Sequence, residues 1–395
     1  MGICYSENSN NKAEKKSQNS KVLNPNENFQ KKENPNSIIS DKSNSTIVKK
    51  ISEINGDALR LQNNKSCVIM IMDYSSSVSI QECTDCSIFI APCQGSIIIR
   101  KCSNVNIISA SAQLRITDVM NSSFFVFSST PPAIESSKNI NLGMFFVQYM
   151  ELPDMFKKAK LNIWENAWSQ YEKFGNEVDC RYSEDKTKNE IISKFSAGFN
   201  DSYVNPDQYQ FVPFEYGKSL NEDKMNDLII VFKEEDCADS EILKFLTPDE
   251  LQEKHTKLIK TIILKENGNE FTELKNKISS STNQALIDYL NKPRIIRQKT
   301  NKSNNIMDSA QKNKLNALDV TGNDNTFNNI TNMKYLAKGE VLLIWLVNDS
   351  DNFEELKESA EATFDWNNIG WIVNEDVGRD PSIFKSYVRK LFYLE

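Results

Sequence analysis

Five stretches decide the fold: NKSCVIMI (Asn64–Ile71), CTDCSIFI (Cys83–Ile90), CSNVNIIS (Cys102–Ser109), MNSSFFVF (Met120–Phe127) and SKNINLGM (Ser137–Met144). Set in register, they align Cys67, Cys86, Val105, Ser123 and Asn139, with steps of 19, 19, 18 and 16 residues. A second column repeats the period: Val78, Ile97 and Ile116 are each 19 apart, and Ile134 follows 18 later. Short β-rich runs returning at a fixed interval near 19 are the signature of a solenoid, in which each period is one coil. The runs are too short for helices and lack helical spacing. The expected fold is a right-handed parallel β-helix of about five or six coils. Apolar columns fill its interior, and Asn and Ser occupy its corners.

The cysteines test that reading. Cys83, Cys86, Cys93 and Cys102 have the look of a zinc site. Yet Cys67 to Cys86 and Cys83 to Cys102 are both 19 apart, the period of the coil itself. Two columns of stacked thiols need no metal, because a free cysteine packs as a small hydrophobe. Zinc stays as the alternative, and reduced thiols fit a cytosolic setting.

Within SAQLRITD (Ser111–Asp118), Ile116 belongs to the apolar column and points inward. Strand side chains alternate, so Arg115 points outward. The column arithmetic puts Ser96 and Ser77 beneath it. Ile134 continues the inward column, so Glu135 also faces out, above Thr117 and diagonal to Arg115, within reach of a long side chain. A surface salt bridge of little energetic weight is one reading. The other is an arginine held by a carboxylate for a partner's phosphates, which its planar, permanently charged fork suits.

The rest of the chain sets limits. Net charge is −7 with no basic stripe, which argues against nucleic acid as a partner. A single histidine, His255, leaves little room for histidine-based metal or nucleophile chemistry. The chain opens MGICYS, where Gly2 fits N-myristoylation and Cys4 palmitoylation, the two signals that stable anchoring needs. Residues 1–46 are expected to be an acylated flexible tail, 47–175 the β-helix and 176–225 a linker with a docked segment. Residues 226–395 alternate strand and helix patterns, as in a smaller α/β, ferredoxin-like domain, with a low-complexity insert near 297–332 expected to be disordered. In that domain Pro248–Lys265 reads as a helix followed by a strand, with His255 on the helix.

CTDCSIFIAPCQGSIIIRKC, AQLRITD, PPAIESSKNINLG and WENAWSQYEKF (Trp164–Phe174), in this order, resemble the tubulin cofactor C domain family. One branch of that family joins an acylated MGxC start, this β-helix and a C-terminal domain resembling nucleoside diphosphate kinase in fold. The resemblance implies a GTPase-activating protein for an Arf-like small GTPase, acting in ciliary trafficking of lipidated proteins. It implies Arg115 as an arginine finger, Glu135 as the residue that positions it, Gln113 as its companion and Phe174 as a partner contact. The family's Gln-Gln-x-Arg reads Ala112-Gln113-Leu114-Arg115 here. No cofactor of its own is implied, since the partner GTPase holds GTP and Mg²⁺. No catalysis of its own is expected either. The implied location is the cytoplasmic face of the cell membrane, at a cilium or basal body. A non-catalytic effector of the same GTPase and a tubulin-folding cofactor are the alternatives. His255, in QEKHTKL, lacks the Asn/His/Gly/Ser context of a phosphate-accepting histidine.

Overall fold

The computed structural model describes residues 34–175, 177–183, 188–195, 199, 211–220, 225–233, 239–278, 284–291, 335–338, 340–348, parts of 353–373, and 381–393. Gly2, Cys4 and the insert at 297–332 lie outside them.

Twelve strands build the solenoid: β1 (Ile38–Ser40), β2 (Thr46–Lys49), β3 (Leu59–Gln62), β4 (Val68–Ile71), β5 (Val78–Gln81), β6 (Ser87–Arg100), β7 (Asn106–Thr117), β8 (Met120–Ser128), β9 (Ala133–Glu135), β10 (Lys138–Met144), β11 (Glu172–Phe174) and β12 (Cys180–Tyr182). Every pairing among them is parallel. They form two long sides. One stacks β2, β4, the first halves of β6 and β7, then β8, β10 and β12. The other stacks β1, β3, β5, the second halves of β6 and β7, then β9 and β11. We call these the covered side and the bare side.

The coils start earlier than the sequence suggests. β1 begins at Ile38, inside the stretch read as tail. Only Ile39 need point inward there, onto Leu61 of the next coil, so a polar composition hides the strand. The last two members of the first column also shift. Val105 is followed by Ser122 and Ile140, both buried, whereas Asn139 sits at a corner.

The corners explain the Asn, Asp and Ser. Six of the bare-side strands, β1, β3, β5, β6, β7 and β9, leave through a turn with two residues in the left-handed region. One column holds Asp41, Asn63, Glu82, Lys101, Asp118 and Ser136, the other Asn44, Ser66, Asp85, Asn104, Asn121 and Asn139, with φ from 47° to 58°. Asn and Asp tolerate this conformation best among residues with a side chain. They also bond along the stack: Asn63 Nδ2 to Asp41 Oδ1 at 2.7 Å, Asn104 Nδ2 to Asp85 Oδ1 at 3.0 Å, Asn139 Nδ2 to Asn121 Oδ1 at 2.9 Å. Inside, Cys67, Cys83, Cys86, Cys93 and Cys102 are buried, unbridged and part of one apolar core. Burial pushes the Cys86 thiol up to about 11, which makes it a poor nucleophile.

The C-terminal half is a four-stranded antiparallel sheet, β13 (Asn226–Lys233), β14 (Thr256–Lys265), β15 (Glu340–Asn348) and β16 (Gly370–Val373), in the order β14-β15-β13-β16. Among the described residues the helices are α1 (Leu152–Ala159), α2 (Lys188–Ser193), α3 (Asp239–Phe245), α4 (Pro248–Glu253), α5 (Asn269–Ile278), α6 (Gln284–Asn291) and α7 (Pro381–Tyr393). One face of the sheet, with Ile229, Leu343 and Trp345, packs on α5, α6 and α7. The other, with Leu228, Ile230 and Leu342, joins α1 and the outward residues of the covered side, Met70, Phe89, Ile108, Phe125 and Phe127, in one continuous core. Covered-side strands are therefore buried on both faces, which is why their sequences run apolar. Described parts of the segment read as a linker are docked, as expected of part of it: β12 caps β10, and Glu215 is buried. His255 sits in the turn between α4 and β14, not on the helix, with φ 52°. It is exposed and lines a cavity of about 280 Å³ with Tyr216, Leu251 and Lys257.

Candidate functional site

On the bare side, inward and outward residues alternate. Leu114 and Ile116 are buried; Gln113 and Arg115 are exposed. The neighbours of Arg115 differ from the column arithmetic. Beneath it lie Ile98 and then Ser79, and above it Ala133 and then Glu172. Ser96 instead lies under Gln113, and its hydroxyl donates to Gln113 Oε1 at 3.0 Å. The cause is the corner between the two sides. In β6 it needs Ala91–Gly95, in β7 only Ala110–Ala112, and the ladder slips by two residues across it. Gly95 fits that wider corner because a Cβ there would lie 2.6 Å from the Ser76 carbonyl oxygen. A slip of two preserves the face on which each side chain lies, so Arg115 stays outward although its stack changes.

The next column reads Gln62, Gln81, Arg100, Thr117, Glu135, Phe174 from coil to coil. Glu135 lies above Thr117 and diagonal to Arg115, as the spacing places it. The parallel ladder puts such diagonal neighbours about 8 Å apart. Among the described residues Arg115 takes no side-chain hydrogen bond or ion pair, so its guanidinium is free to meet another molecule. Phe174 ends the column, 46 % exposed, one of few large apolar side chains left in water among the described residues.

WENAWSQYEKF carries the chain to that point. Trp164 and Trp168 are fully buried at the joint with the C-terminal half. Trp164 Nε1 donates to Asp239 at 2.8 Å, and Trp168 Nε1 to the Glu215 carbonyl at 3.0 Å. The chain then runs into β11, which lays Phe174 over Glu135. Arg115, Glu135, Gln113 and Phe174 are thus gathered on one surface. Ala112 is not beside them: it is half-buried against the covered-side core. Sequence reasoning missed Arg100 on the same surface. The alternation in IIIR, with Ile97 and Ile99 inward, carried the signal.

Among the described residues the arrangement brings no nucleophile and no acid–base pair beside the arginine. What it can do is present an exposed cation from a fixed strand. Residues 56–174 match the Tubulin binding cofactor C family, and this β-solenoid is a domain of that class. The chain is similar to Protein XRP2 of Homo sapiens, 48% identical over 119 residues, 30% of this chain and 34% of that protein. It is 44% identical over 129 residues to Protein XRP2 of Mus musculus, covering 33% and 37%, and 40% identical over 131 residues to that of Danio rerio, covering 33% and 35%. The match thus spans about a third of the length of these relatives. Among solved structures, Tubulin Binding Cofactor C from Leishmania major is 15% identical, with 38% of this chain and 91% of that chain covered at a TM-score of 0.28.

Proposed function

We propose that this protein activates an Arf-like small GTPase, with Arg115 entering the partner's nucleotide site in trans. The observation that carries the reading is the free, exposed Arg115 on a rigid face, flanked diagonally by Glu135 and near the exposed Phe174. The GTPase holds GTP and Mg²⁺ and orients the attacking water. As the γ-phosphoryl group transfers, charge develops on its oxygens, and an arginine supplied in trans is worth roughly 10³–10⁵ in rate. A solenoid strand fixes the arginine's backbone position beforehand, so only its side chain is left to order at the moment of reaction. Glu135, not paired with Arg115 in the free protein, is placed to take up the guanidinium as the partner docks, Gln113 lies beside it, and Phe174 packs on the partner. The similarity to Protein XRP2 supports the reading. Single-turnover GTP hydrolysis tests it: Arg115→Ala should slow stimulated hydrolysis about a hundredfold or more while the GTPase still binds.

A second reading is a non-catalytic effector of the same GTPase. Ala112 favours it, since the resembled family carries a glutamine at this position and this chain has only a methyl group. Equal hydrolysis with wild type and Arg115→Ala would select it. A tubulin link is the remaining alternative partner. The tether extends the proposal: acyl chains at Gly2 and Cys4 hold the protein on the cytoplasmic face of a membrane, at a cilium or basal body, where a GTPase would release lipidated cargo. One acyl chain binds only marginally, so Gly2→Ala should move the protein to the soluble fraction. A variant that fractionates as wild type does would remove the anchor.

A further inference from the structure

Arg100 lies on the same face as Arg115, beneath Thr117, and mirrors Glu135 across that short side chain. It is exposed, and among the described residues its side chain takes no hydrogen bond or ion pair. The ladder puts it about 8 Å from Arg115. A stable interface covers about 800 Å² on each partner. Centred on Arg115, such a patch reaches about 16 Å outward, so Arg100 falls well inside it. A guanidinium covered without an acceptor is strongly unfavourable, and among the described residues none pairs with it. The acceptor must come from the other molecule. The transferring phosphoryl group is taken by Arg115, so the group facing Arg100 is a carboxylate of the protein surface beside the nucleotide.

We propose that Arg100 forms the second charged contact of this face, an ion pair with an acidic side chain of the partner GTPase that sets binding and not the chemical step. The proposal rests on the reading of Arg115 as the arginine inserted in trans. Arg60 supplies a control. It is exposed in the same column as Arg115 but three coils below it, about 14 Å away at the usual strand spacing. That is beyond the screening length at physiological salt and at the rim of the patch.

The test uses the full chain and the Arf-like GTPase whose hydrolysis the wild type stimulates, bound to GTP. Arg100→Ala should raise the half-saturating concentration about tenfold or more and reduce its dependence on salt. The rate at saturation should stay within about twofold of wild type. Arg100→Glu should raise the half-saturating concentration further, and Arg60→Ala should change it less than about twofold. An unchanged half-saturating concentration in Arg100→Ala, or an equal rise in Arg60→Ala, overturns the proposal. So does a collapse of the saturated rate in Arg100→Ala, which would put this residue at the phosphates. Arg115→Ala is run beside these. If it leaves hydrolysis unchanged, the activator reading fails, while equilibrium binding of the GTP-bound partner to Arg100→Ala still decides the ion pair.

Discussion

The two long sides of the solenoid are made by the same coils and meet different fates. Outward residues of the covered side, Phe89, Ile108, Phe125 and Phe127, disappear into one core that α1 and the C-terminal sheet share. Outward residues of the bare side, Arg60, Arg100, Arg115, Glu135 and Phe174, remain in water. Interior columns serve both sides equally, so the fold alone does not require this division. It shows which surface the molecule uses to hold itself together and which it keeps for something else.

The sharpest way to break that contrast is on the covered side. Phe89 is fully buried and meets Tyr149, Phe195 and Phe199 ring to ring at 5.1–6.3 Å. Phe89→Ala should cost about 3–5 kcal/mol, seen as a lower denaturation midpoint. Phe174 is a phenylalanine of the same size on the other side, and Phe174→Ala should shift the same midpoint by no more than about 0.5 kcal/mol. Equal losses would mean that the bare side is structural as well.

A smaller effect belongs to the joint that keeps the covered side sealed. Glu215 is buried there, accepting from the Thr261 amide at 2.9 Å, and burial pushes its carboxyl up to about 8. Lys260 beside it is pushed down to about 8 by the same burial. For a carboxyl whose folded pKa is raised, the folded state holds the extra proton. Stability is then fullest below the unfolded value near 4.5 and declines as pH rises toward 8. The thermal midpoint should fall across that window, and Glu215→Gln should flatten the fall. A wild-type midpoint indifferent to pH there would contradict the buried, proton-holding joint.

The sequence carried the period, the inward parity of Ile116 and Ile134, and so the outward faces of Arg115 and Glu135. Parity survived because the slip between β6 and β7 is two residues. Register did not survive, because the extra residues of the Ala91–Gly95 corner look like any other loop. Hence Ile98, not Ser96, lies beneath Arg115. The first coil was hidden by needing only Ile39 as an inward residue. The double burial of the covered side was legible only as apolar runs, since the rings that meet it, Phe146, Tyr149, Phe156, Phe195 and Phe199, come after its long strands in the chain. Arg100 was legible by alternation but stood in no motif.

The most direct test of the division is one variant measured twice. Arg115→Ala should leave the thermal midpoint where wild type has it, because an exposed, unpaired side chain contributes little to folding. In single-turnover hydrolysis with the GTP-bound Arf-like partner at saturation, the same variant should be slower by about two orders of magnitude or more. Loss of the midpoint with hydrolysis unchanged would make Arg115 a structural residue and contradict the account.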